Sequence, residues 1–249
     1  MCMSFEFTRN NIDHYLYEVA KIYKKANRAF PDAEIILIGG ASVLLNYNFR
    51  DMTTDLDAIL RASSSMKDAI KMVADNNGLE SDWINEDFKH TKSYSPKIVQ
   101  YSKFYKKFCG CLTVRTITDE YLLAMKLCSA RNYKKDLSDI IGILKENEER
   151  NTPIDFTKIN KAVINLYGSW DVIDSKIKDM LIEILDEDNL EDRYYSTLRE
   201  EKINKQALLL AQEKYPEQIN DKNTALFTEH FKSFVEAKED NYNQDDIEL

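Results

Sequence analysis

The sequence predicts an α+β fold, in which a sheet flanked by helices is followed by a C-terminal helical bundle. Four apolar residues, Ile35 to Ile38, end at a glycine pair, which is typical of a buried strand followed by a tight turn. Only 6 Gly and 4 Pro occur in 249 residues, which favours long regular elements over a loop-rich all-β fold. From residue 155 to 238, helical apolar spacing replaces the alternation expected of strands.

Apolar spacing and capping residues give the order of elements in the first part of the chain. Thr118 is predicted to be the N-cap of one helix, with Asp119 and Glu120 in its first turn. The predicted elements are helix 11–30, strand 35–38, helix 63–78 closed by Gly78, strands 97–102 and 111–117, a helix after Thr118 and helix 135–146.

Asn151-Thr152-Pro153 marks a predicted domain boundary. The predicted units are a first domain over 1–150, a helical bundle over 151–238 and a disordered acidic tail over 239–249. Helices are predicted in the bundle over 175–185, 190–215 and 224–237.

Composition excludes several classes of protein. No apolar run approaches the ~18 residues of a membrane span, and the first ten residues lack the apolar core of a signal peptide. We therefore expect a cytoplasmic protein with no membrane partner. The 4 Cys and 3 His residues do not show the spacing of a zinc site.

The turn Gly39-Gly40-Ala41-Ser42 predicts a phosphate site. Glycines let backbone N–H groups approach an anion, and the helical composition that follows puts those groups at a helix N-terminus, where phosphate is favoured. We expect Gly39, Gly40 and the Ser42 hydroxyl to hold the β- and γ-phosphates of a nucleotide.

Asp55 and Asp57 predict a metal site. The two-residue period of a strand puts both carboxylates on one face, where each raises the pKa of the other unless a cation neutralises them. Mg²⁺ takes oxygen ligands of this kind. The alternative is a solvent-facing strand whose acids alternate with Leu56 and Ala58.

Together these residues resemble the signature of the nucleotidyltransferase superfamily, a glycine turn followed by D-x-D, here within Thr53-Thr54-Asp55-Leu56-Asp57. More narrowly, the chain resembles the AbiEii-like and MenT-like toxin branch, the type IV toxin–antitoxin nucleotidyltransferases. In that branch, a Lys-bearing helix and a K/R-D-x-x-D segment follow, and residues 121–140 contain both. The resemblance covers roughly residues 30–145 and implies a nucleotidyltransferase-like mixed sheet.

The resemblance implies specific roles. Asp55 and Asp57 are expected to hold Mg²⁺ and Thr53 to join the nucleotide site, whereas Lys126, Asp136 and Asp139 are expected to complete the catalytic set. Lys126 lies among apolar neighbours, so it either reaches solvent or is directed at phosphate, and we favour phosphate. The sequence leaves open whether Asp136 or Asp139 orients Lys126 or acts as a base. Without the family pattern, both acids would be read as solvating one helix face.

The chain departs from the family pattern at two places. Asp51 stands where family members carry an Arg, and Arg50 is one residue earlier. The third carboxylate that many members carry on a later strand is missing from 112–115.

A basic stretch from Phe88 to Thr118 predicts an RNA partner, although the net charge of the chain is −9. It holds no acid and interleaves aromatic residues with seven cations, the mixture that suits backbone neutralisation and base stacking. The alternative is a pair of strands whose lysines protect a sheet edge and whose aromatics face the core.

Three functions fit these observations. The first is a Mg²⁺-dependent enzyme that moves a nucleotide from an NTP to an acceptor hydroxyl, with RNA or tRNA as acceptor and an antitoxin protein as possible partner by analogy with the toxin branch. The second replaces RNA with a cationic small molecule of the aminoglycoside type. The third is a nucleotide-binding regulatory module without turnover.

Overall fold

The computed structural model describes residues 5–27, 32–220 and 223–245, and these form the predicted α+β fold. The strands are β1 (Phe7–Thr8), β2 (Ala33–Leu37), β3 (Met52–Thr53), β4 (Leu56–Arg61), β5 (Ile84–Asn85), β6 (Ser102–Phe108) and β7 (Leu112–Ile117). The helices are α1 (Arg9–Ala26), α2 (Gly39–Asn46), α3 (Ser65–Asn77), α4 (Asp119–Ser129), α5 (Asp136–Glu149), α6 (Phe156–Tyr167), α7 (Ser175–Leu185), α8 (Leu190–Lys214) and α9 (Thr224–Asp245).

The main sheet is mixed and has the strand order β5-β4-β2-β7-β6. The central strand β2 pairs antiparallel with β4 and parallel with β7. Its apolar run is continuous because both faces of the sheet are covered: Ile35 and Leu37 contact one hydrophobic cluster, and Ile36 contacts the other. Helices α1 and α3 cover the first face, and α4 to α7 cover the second.

The second cluster continues beyond the predicted domain boundary. It runs without a break from Ile36 on β2 to Tyr194 on α8. The division near residue 151 stays a prediction, but the hydrophobic core does not stop there. The outer parts of α8 and α9 form a smaller cluster with Ala207, Ala211, Phe231 and Val235.

Two expectations about elements differ from the structure. The predicted strand over 97–102 is wrong, because Pro96–Tyr101 forms a 3₁₀ turn and β6 starts only at Ser102. Ile98 is buried in the second cluster, and the Ser95 hydroxyl donates to the Leu166 carbonyl, so this segment is held against α6 instead of joining the sheet. The predicted disordered tail over 239–249 differs as well, since α9 continues to Asp245. Residues 246–249 lie outside the described part of the chain. Residues 28–31, at the end of the predicted helix 11–30, lie outside it too.

The other helix boundaries agree closely with expectation. Gly78 ends α3 in the left-handed region, with φ of 66°, and Thr118 is the N-cap of α4. In the described ranges, no helix has both the length and the apolar character needed to cross a membrane.

Candidate active site

A cavity of about 310 Å³ lies where the end of β2, the start of β4 and the end of β5 meet α4 and the segment before α5. It is lined by Ile38, Gly39, Gly40, Arg50, Thr53, Asp55, Asp57, Asn85, Asp87, Phe88, Thr91, Ser93, Leu122, Met125, Lys126, Ser129, Arg131, Lys134, Lys135 and Asp136. Carboxylates and cations therefore share one cavity, with an apolar wall from α4.

The glycine pair brings the backbone close to the charged side chains. Gly39 has φ of 52°, and a Cβ atom there would lie 3.1 Å from Oδ2 of Asp57. A Cβ atom on Gly40 would lie 2.8 Å from Nη2 of Arg50 and 2.9 Å from Oγ1 of Thr53. Gly39 thus has a backbone conformation that favours glycine, and a side chain at either position would force Asp57, Arg50 or Thr53 to shift.

Asp55 and Asp57 both line the cavity, with Leu56 between them buried in the core. Within the described ranges, neither carboxylate makes a salt bridge with N and O atoms within 4.0 Å. Burial, and then the charge of Asp55, raise the pKa of Asp57 to about 6, although Lys134, Arg131 and Lys126 act in the opposite direction. Two acids held close in this way favour a bound cation.

The two acids suit Mg²⁺ better than a metal that needs a full set of protein ligands. In the described residues, no group of three or more His, Cys, Asp or Glu side chains is arranged to hold a metal. Mg²⁺ is commonly held by one or two carboxylates together with substrate phosphates and water. Asp55 and Asp57 fit that mode.

A further carboxylate, Asp87, lines the same cavity and was not expected from the sequence. Asn85 on β5 pairs with Asp57 on β4, and the Asp87 N–H donates to Oδ1 of Asn85 at 2.9 Å. The short strand β5 thus brings Asp87 next to the D-x-D strand. Its two-residue length is the reason why the sequence pattern did not reveal it.

Lys126 is buried and paired with both acids of α5. Its Nζ lies 2.7 Å from Oδ1 of Asp136 and 2.7 Å from Oδ2 of Asp139. Burial lowers the pKa of Lys126, but Asp136 and Asp139 more than offset this effect, so the pKa is raised. Lys126 therefore does not reach solvent, and its ammonium group is already engaged by two carboxylates.

Asp136 and Asp139 do not solvate a helix face, since their side chains are only 1% and 2% exposed. Burial alone raises the pKa of Asp136, yet Lys126 and Arg131 hold it well below its usual value. Asp136 lines the cavity, whereas Asp139 lies behind it.

Arg50 lines the cavity although it stands one residue before the position expected from the family pattern. Its Nη1 lies 2.5 Å from Oδ2 of Asp139, and its Nε donates to the Met52 carbonyl. The guanidinium group therefore lines the cavity beside Gly40 and is fixed from behind by Asp139.

Three cations between α4 and α5 also line the cavity: Arg131, Lys134 and Lys135. Arg131 Nε donates to Oδ2 of Asp136 at 2.8 Å. Burial, and then the charge of Arg131, lower the pKa of Lys134; burial, and then the charge of Arg50, lower the pKa of Lys135. Sequence reasoning missed these residues as site residues, although the run RNYKK directly before Asp136 was a visible signal.

Two predicted site residues do not face the cavity. Ser42 is buried, and its Oγ accepts a hydrogen bond from the Ile117 N–H at 2.9 Å, so it ties α2 to β7 instead of reaching a nucleotide. Asp139 is the second, as described above. Thr53 does line the cavity, and its hydroxyl donates to the Asp55 carbonyl.

The basic stretch is largely neutralised by acids of neighbouring elements. Five of its seven cations have acidic partners within 4.0 Å, namely Lys89 with Glu86, Lys103 with Asp119, Lys106 with Asp13, Lys107 with Asp32 and Arg115 with Glu34. Tyr101 stacks on Tyr121, and Phe108 is buried, while Phe104 is 61% exposed. Lys92 and Lys97 are exposed and have no salt bridge in the described ranges.

Comparison with known proteins identifies the family. The sequence model of a family described as nucleotidyltransferase of unknown function, DUF6036, matches residues 15–219. The chain belongs to this family. No curated protein and no solved structure matches the chain.

The DUF6036 match includes every residue that lines the cavity and extends across α8. It supports nucleotidyl transfer as the general activity, and its description names no substrate. The family assignment thus agrees with the superfamily expected from the glycine turn and D-x-D, but it does not reach the toxin branch.

Proposed function

We propose that the protein is a Mg²⁺-dependent nucleotidyltransferase that moves a nucleotide from an NTP to a hydroxyl group of RNA, with tRNA as the first candidate. One observation carries the proposal. Asp55 and Asp57 line a single cavity together with Arg131, Lys134 and Lys135, beside a glycine turn. Such a cavity suits a metal ion together with a chain of phosphates.

Asp55 and Asp57 are the proposed Mg²⁺ ligands. A Mg²⁺ ion held there supplies neutralisation of the charge that develops on the reacting phosphate. The raised pKa of Asp57 supports this assignment, because burial and Asp55 disfavour the ionised carboxylate and a bound cation would favour it.

The glycine turn and the cations are the proposed phosphate site. Gly39 and Gly40 begin α2, so their backbone N–H groups have no partner within the helix and are available to phosphate oxygens. Arg131, Lys134 and Lys135 neutralise the phosphates from the segment between α4 and α5. Lys126 acts indirectly, because it holds Asp136, which in turn orients Arg131.

Asp87 is the proposed proton acceptor. In the reaction, the acceptor hydroxyl oxygen bonds to the α-phosphorus, pyrophosphate leaves, and the hydroxyl proton must pass to a base. Asp136 is a poor base, because its pKa is strongly lowered and its oxygens are bonded to Lys126 and Arg131. Asp139 does not line the cavity. Asp87 lines it and has no salt-bridge partner in the described ranges.

RNA is proposed as acceptor on the resemblance to the toxin branch and on Lys92 and Lys97. Both lysines are exposed, and Lys92 lies between the cavity-lining residues Thr91 and Ser93. Exposed cations beside a nucleotide site favour a polyanionic acceptor. The rest of the basic stretch contributes less than its composition suggested, because its charges are paired.

Labelled NTPs test the proposal directly. The purified protein is incubated with Mg²⁺, each of the four labelled NTPs and total RNA, and in parallel with an aminoglycoside in place of RNA. We expect label in RNA, abolished by Asp57→Asn and strongly reduced by Asp87→Asn. Label only in the aminoglycoside supports the small-molecule alternative, and NTP binding without any product supports the regulatory module.

A toxin role with a cognate antitoxin protein is proposed on the resemblance alone. Its test is growth: expression of the wild-type chain should arrest a bacterial host, and expression of Asp57→Asn at the same level should not. Equal growth of both strains contradicts the toxin role and leaves the nucleotidyl transfer assay to stand separately.

A further inference from the structure

One face of α8 contacts three segments around the cavity: the residue before Arg50, the start of α5 and the cationic segment between α4 and α5. The contacting residues are Tyr194, Glu201 and Asn204, which lie seven and three residues apart and therefore on one side of the helix. Each is buried, although two of them are polar side chains on a helix that is otherwise largely exposed. Buried polar groups are kept where they make specific hydrogen bonds.

The first contact reaches the segment of Arg50. The Tyr194 hydroxyl donates to the Phe49 carbonyl at 3.2 Å, and the two rings meet edge to face with centroids 5.7 Å apart. Phe49 also packs directly over Gly142 of α5, where a Cβ atom would lie 2.6 Å from its ring. Tyr194 thus fixes the residue immediately before Arg50.

The second contact reaches the start of α5. One carboxylate oxygen of Glu201 accepts hydrogen bonds from the Leu137 and Ser138 N–H groups, and the other accepts from the Ser138 hydroxyl. Glu201 is 4% exposed and has no salt bridge in the described ranges. Burial raises its pKa to about 7, although these hydrogen bonds from Ser138 and Leu137 lower it. Burial of a carboxylate without a cation lowers the stability of the fold. Here the carboxylate holds the first turn of α5, which bears Asp136 and Asp139.

The third contact reaches the cationic segment itself. The Asn204 side-chain amide donates to the Asn132 carbonyl at 3.0 Å, and Asn204 is 3% exposed. Asn132 directly follows Arg131 and comes two residues before Lys134. The backbone between α4 and α5 is therefore held by α8 in the middle of its cationic run.

We propose that Glu201 and Asn204 are positioning residues, through which α8 holds the cations of the cavity in the arrangement that binds the triphosphate. The inference rests on the proposed function for its ligand, but the positioning itself is a property of the ligand-free protein. It makes the C-terminal helices part of the site, although no residue of α8 lines the cavity.

Two measurements on the full chain test the proposal. Hydrogen exchange of the ligand-free protein measures how firmly the 131–139 segment is held. We expect Glu201→Ala to speed exchange of the Leu137 and Ser138 amides more than tenfold, while exchange of the β2 and β4 amides stays unchanged. Binding of Mg·ATP, Mg·GTP, Mg·CTP and Mg·UTP reports on the site. For the nucleotide that binds wild type best, we expect the Kd to rise at least tenfold in Glu201→Ala and about threefold in Asn204→Ala.

Three further variants separate positioning from loss of stability. Glu201→Gln keeps an oxygen for the two backbone N–H groups and an amide that donates to the Ser138 hydroxyl, so its Kd should stay within threefold of wild type. Ala207→Gly weakens the same helix at a residue buried against α9, and Glu213→Ala removes an exposed carboxylate from it. Both should bind nucleotide as wild type does when measured well below their melting temperatures.

The outcomes are distinct. Unchanged exchange of the 131–139 segment in Glu201→Ala, or a rise in Kd for Ala207→Gly as large as that for Glu201→Ala, overturns the positioning role. Failure of the wild-type protein to bind any of the four nucleotides overturns the proposed function instead, and the exchange measurement then still decides whether α8 holds the segment.

Discussion

Two effects disfavour the ionised carboxylate of Asp57, and a bound cation would offset both. Its carboxylate is largely removed from water at the glycine turn and lies close to Asp55, and both effects oppose ionisation. The charges of Lys134, Arg131 and Lys126 lower the pKa of Asp57, but they do not offset burial and the charge of Asp55. The residue therefore weakens the free protein, as expected of the proposed metal ligand, because functional residues are commonly kept at a cost in stability.

Substitution of Asp57 should accordingly stabilise the metal-free protein. A carboxyl group whose pKa rises from 3.8 to about 6 on folding contributes its full stability at low pH and loses it between about pH 4 and pH 6. This rise corresponds to at most ~3 kcal/mol. Asp57→Asn should therefore be ~1–2 kcal/mol more stable than wild type at pH 7 with chelator present, after discount for solvent screening, and equal to it near pH 4.

Thermal unfolding with and without Mg²⁺ checks this prediction. Added Mg²⁺ should raise the melting temperature of wild type, because a ligand that binds only the native state stabilises it, and should leave Asp57→Asn unchanged. A variant that is less stable than wild type at pH 7 in chelator would contradict the account of Asp57 as a strained ligand.

Removal of the charge should lower stability at Lys126, whereas at Lys134 it should weaken nucleotide binding. Lys126→Met leaves two buried carboxylates with reduced compensation, so the free energy of unfolding should fall by ~3–5 kcal/mol. Lys134 has no salt bridge in the described ranges, so Lys134→Met should change stability by less than ~0.5 kcal/mol. Its loss of a charge-assisted phosphate contact should weaken NTP binding about tenfold or more.

Denaturant unfolding and nucleotide binding, measured on both variants, check the contrast. If Lys126→Met is stable but binds NTP poorly, the result would instead support direct contact between Lys126 and phosphate, which the sequence analysis favoured. The control is Lys145→Met, which removes a lysine of α5 that pairs with two exposed acids, Glu149 and Glu191.

At the scale of elements, the contact of α5 with the Tyr47 to Arg50 segment sets the position of Arg50. Gly142→Ala would put a Cβ atom within 2.6–2.7 Å of the Phe49 ring, so the ring must move. We expect a loss of ~1–3 kcal/mol in stability from overpacking together with weaker NTP binding, since Arg50 follows Phe49 directly.

A double-mutant cycle measured by unfolding and by nucleotide binding tests this coupling. Phe49→Leu should relieve the clash, so the combined variant should be more stable than the sum of the single effects predicts. Strictly additive effects would show that Gly142 and Phe49 do not constrain each other.

The sequence was most informative where the chemistry is local. Residues of β2, the glycine turn and β4 follow one another within the stretch from Ile35 to Asp57, so period and turn composition sufficed to predict two acids beside a glycine turn. The 97–102 segment was misjudged because its apolar residues pack on α6 and not in the sheet, which periodicity alone does not reveal. The charge of the basic stretch was overestimated for the same reason, since its partners Asp13, Glu34 and Asp119 come from other elements.

At the scale of the whole molecule, the core does not divide where the sequence changes character. Residues of α6, α7 and α8 complete the cluster that begins on β2, including Ile159, Val163, Leu181 and Ile184. Each large aliphatic side chain of this kind contributes about 1.5–3 kcal/mol when fully buried. The first 150 residues therefore contain α4 and α5 but lack the α6 to α8 part of this cluster.

A chain that ends at Asn151 should fail to fold, whereas one that ends at Tyr215 should keep the fold. The first loses the buried residues of α6 to α8, and the second loses only α9, whose buried side chains belong to the small outer cluster. Circular dichroism, solubility and thermal unfolding of both chains check the prediction. Cooperative unfolding of the shorter chain would instead support the predicted independent domain over 1–150.

The cationic half of the site was less predictable than the acidic half, because α8 supports it over long sequence separations. Glu201 is 64 residues from Leu137, Asn204 is 72 residues from Asn132, and Tyr194 is 145 residues from Phe49. No spacing rule links residues so far apart, and Glu201 and Asn204 look like ordinary polar residues of a solvated helix.

These separations have a consequence for synthesis of the chain. A ribosome adds Asp55, Asp57 and all strands of the sheet first, and it adds Glu201 and Asn204 only later, with α8. An unfinished copy without α8 therefore lacks the hydrogen bonds that hold the start of α5 and the cationic segment before it. For the proposed enzyme, we therefore expect the triphosphate site to be complete only after α8 has been synthesised and has packed against α5.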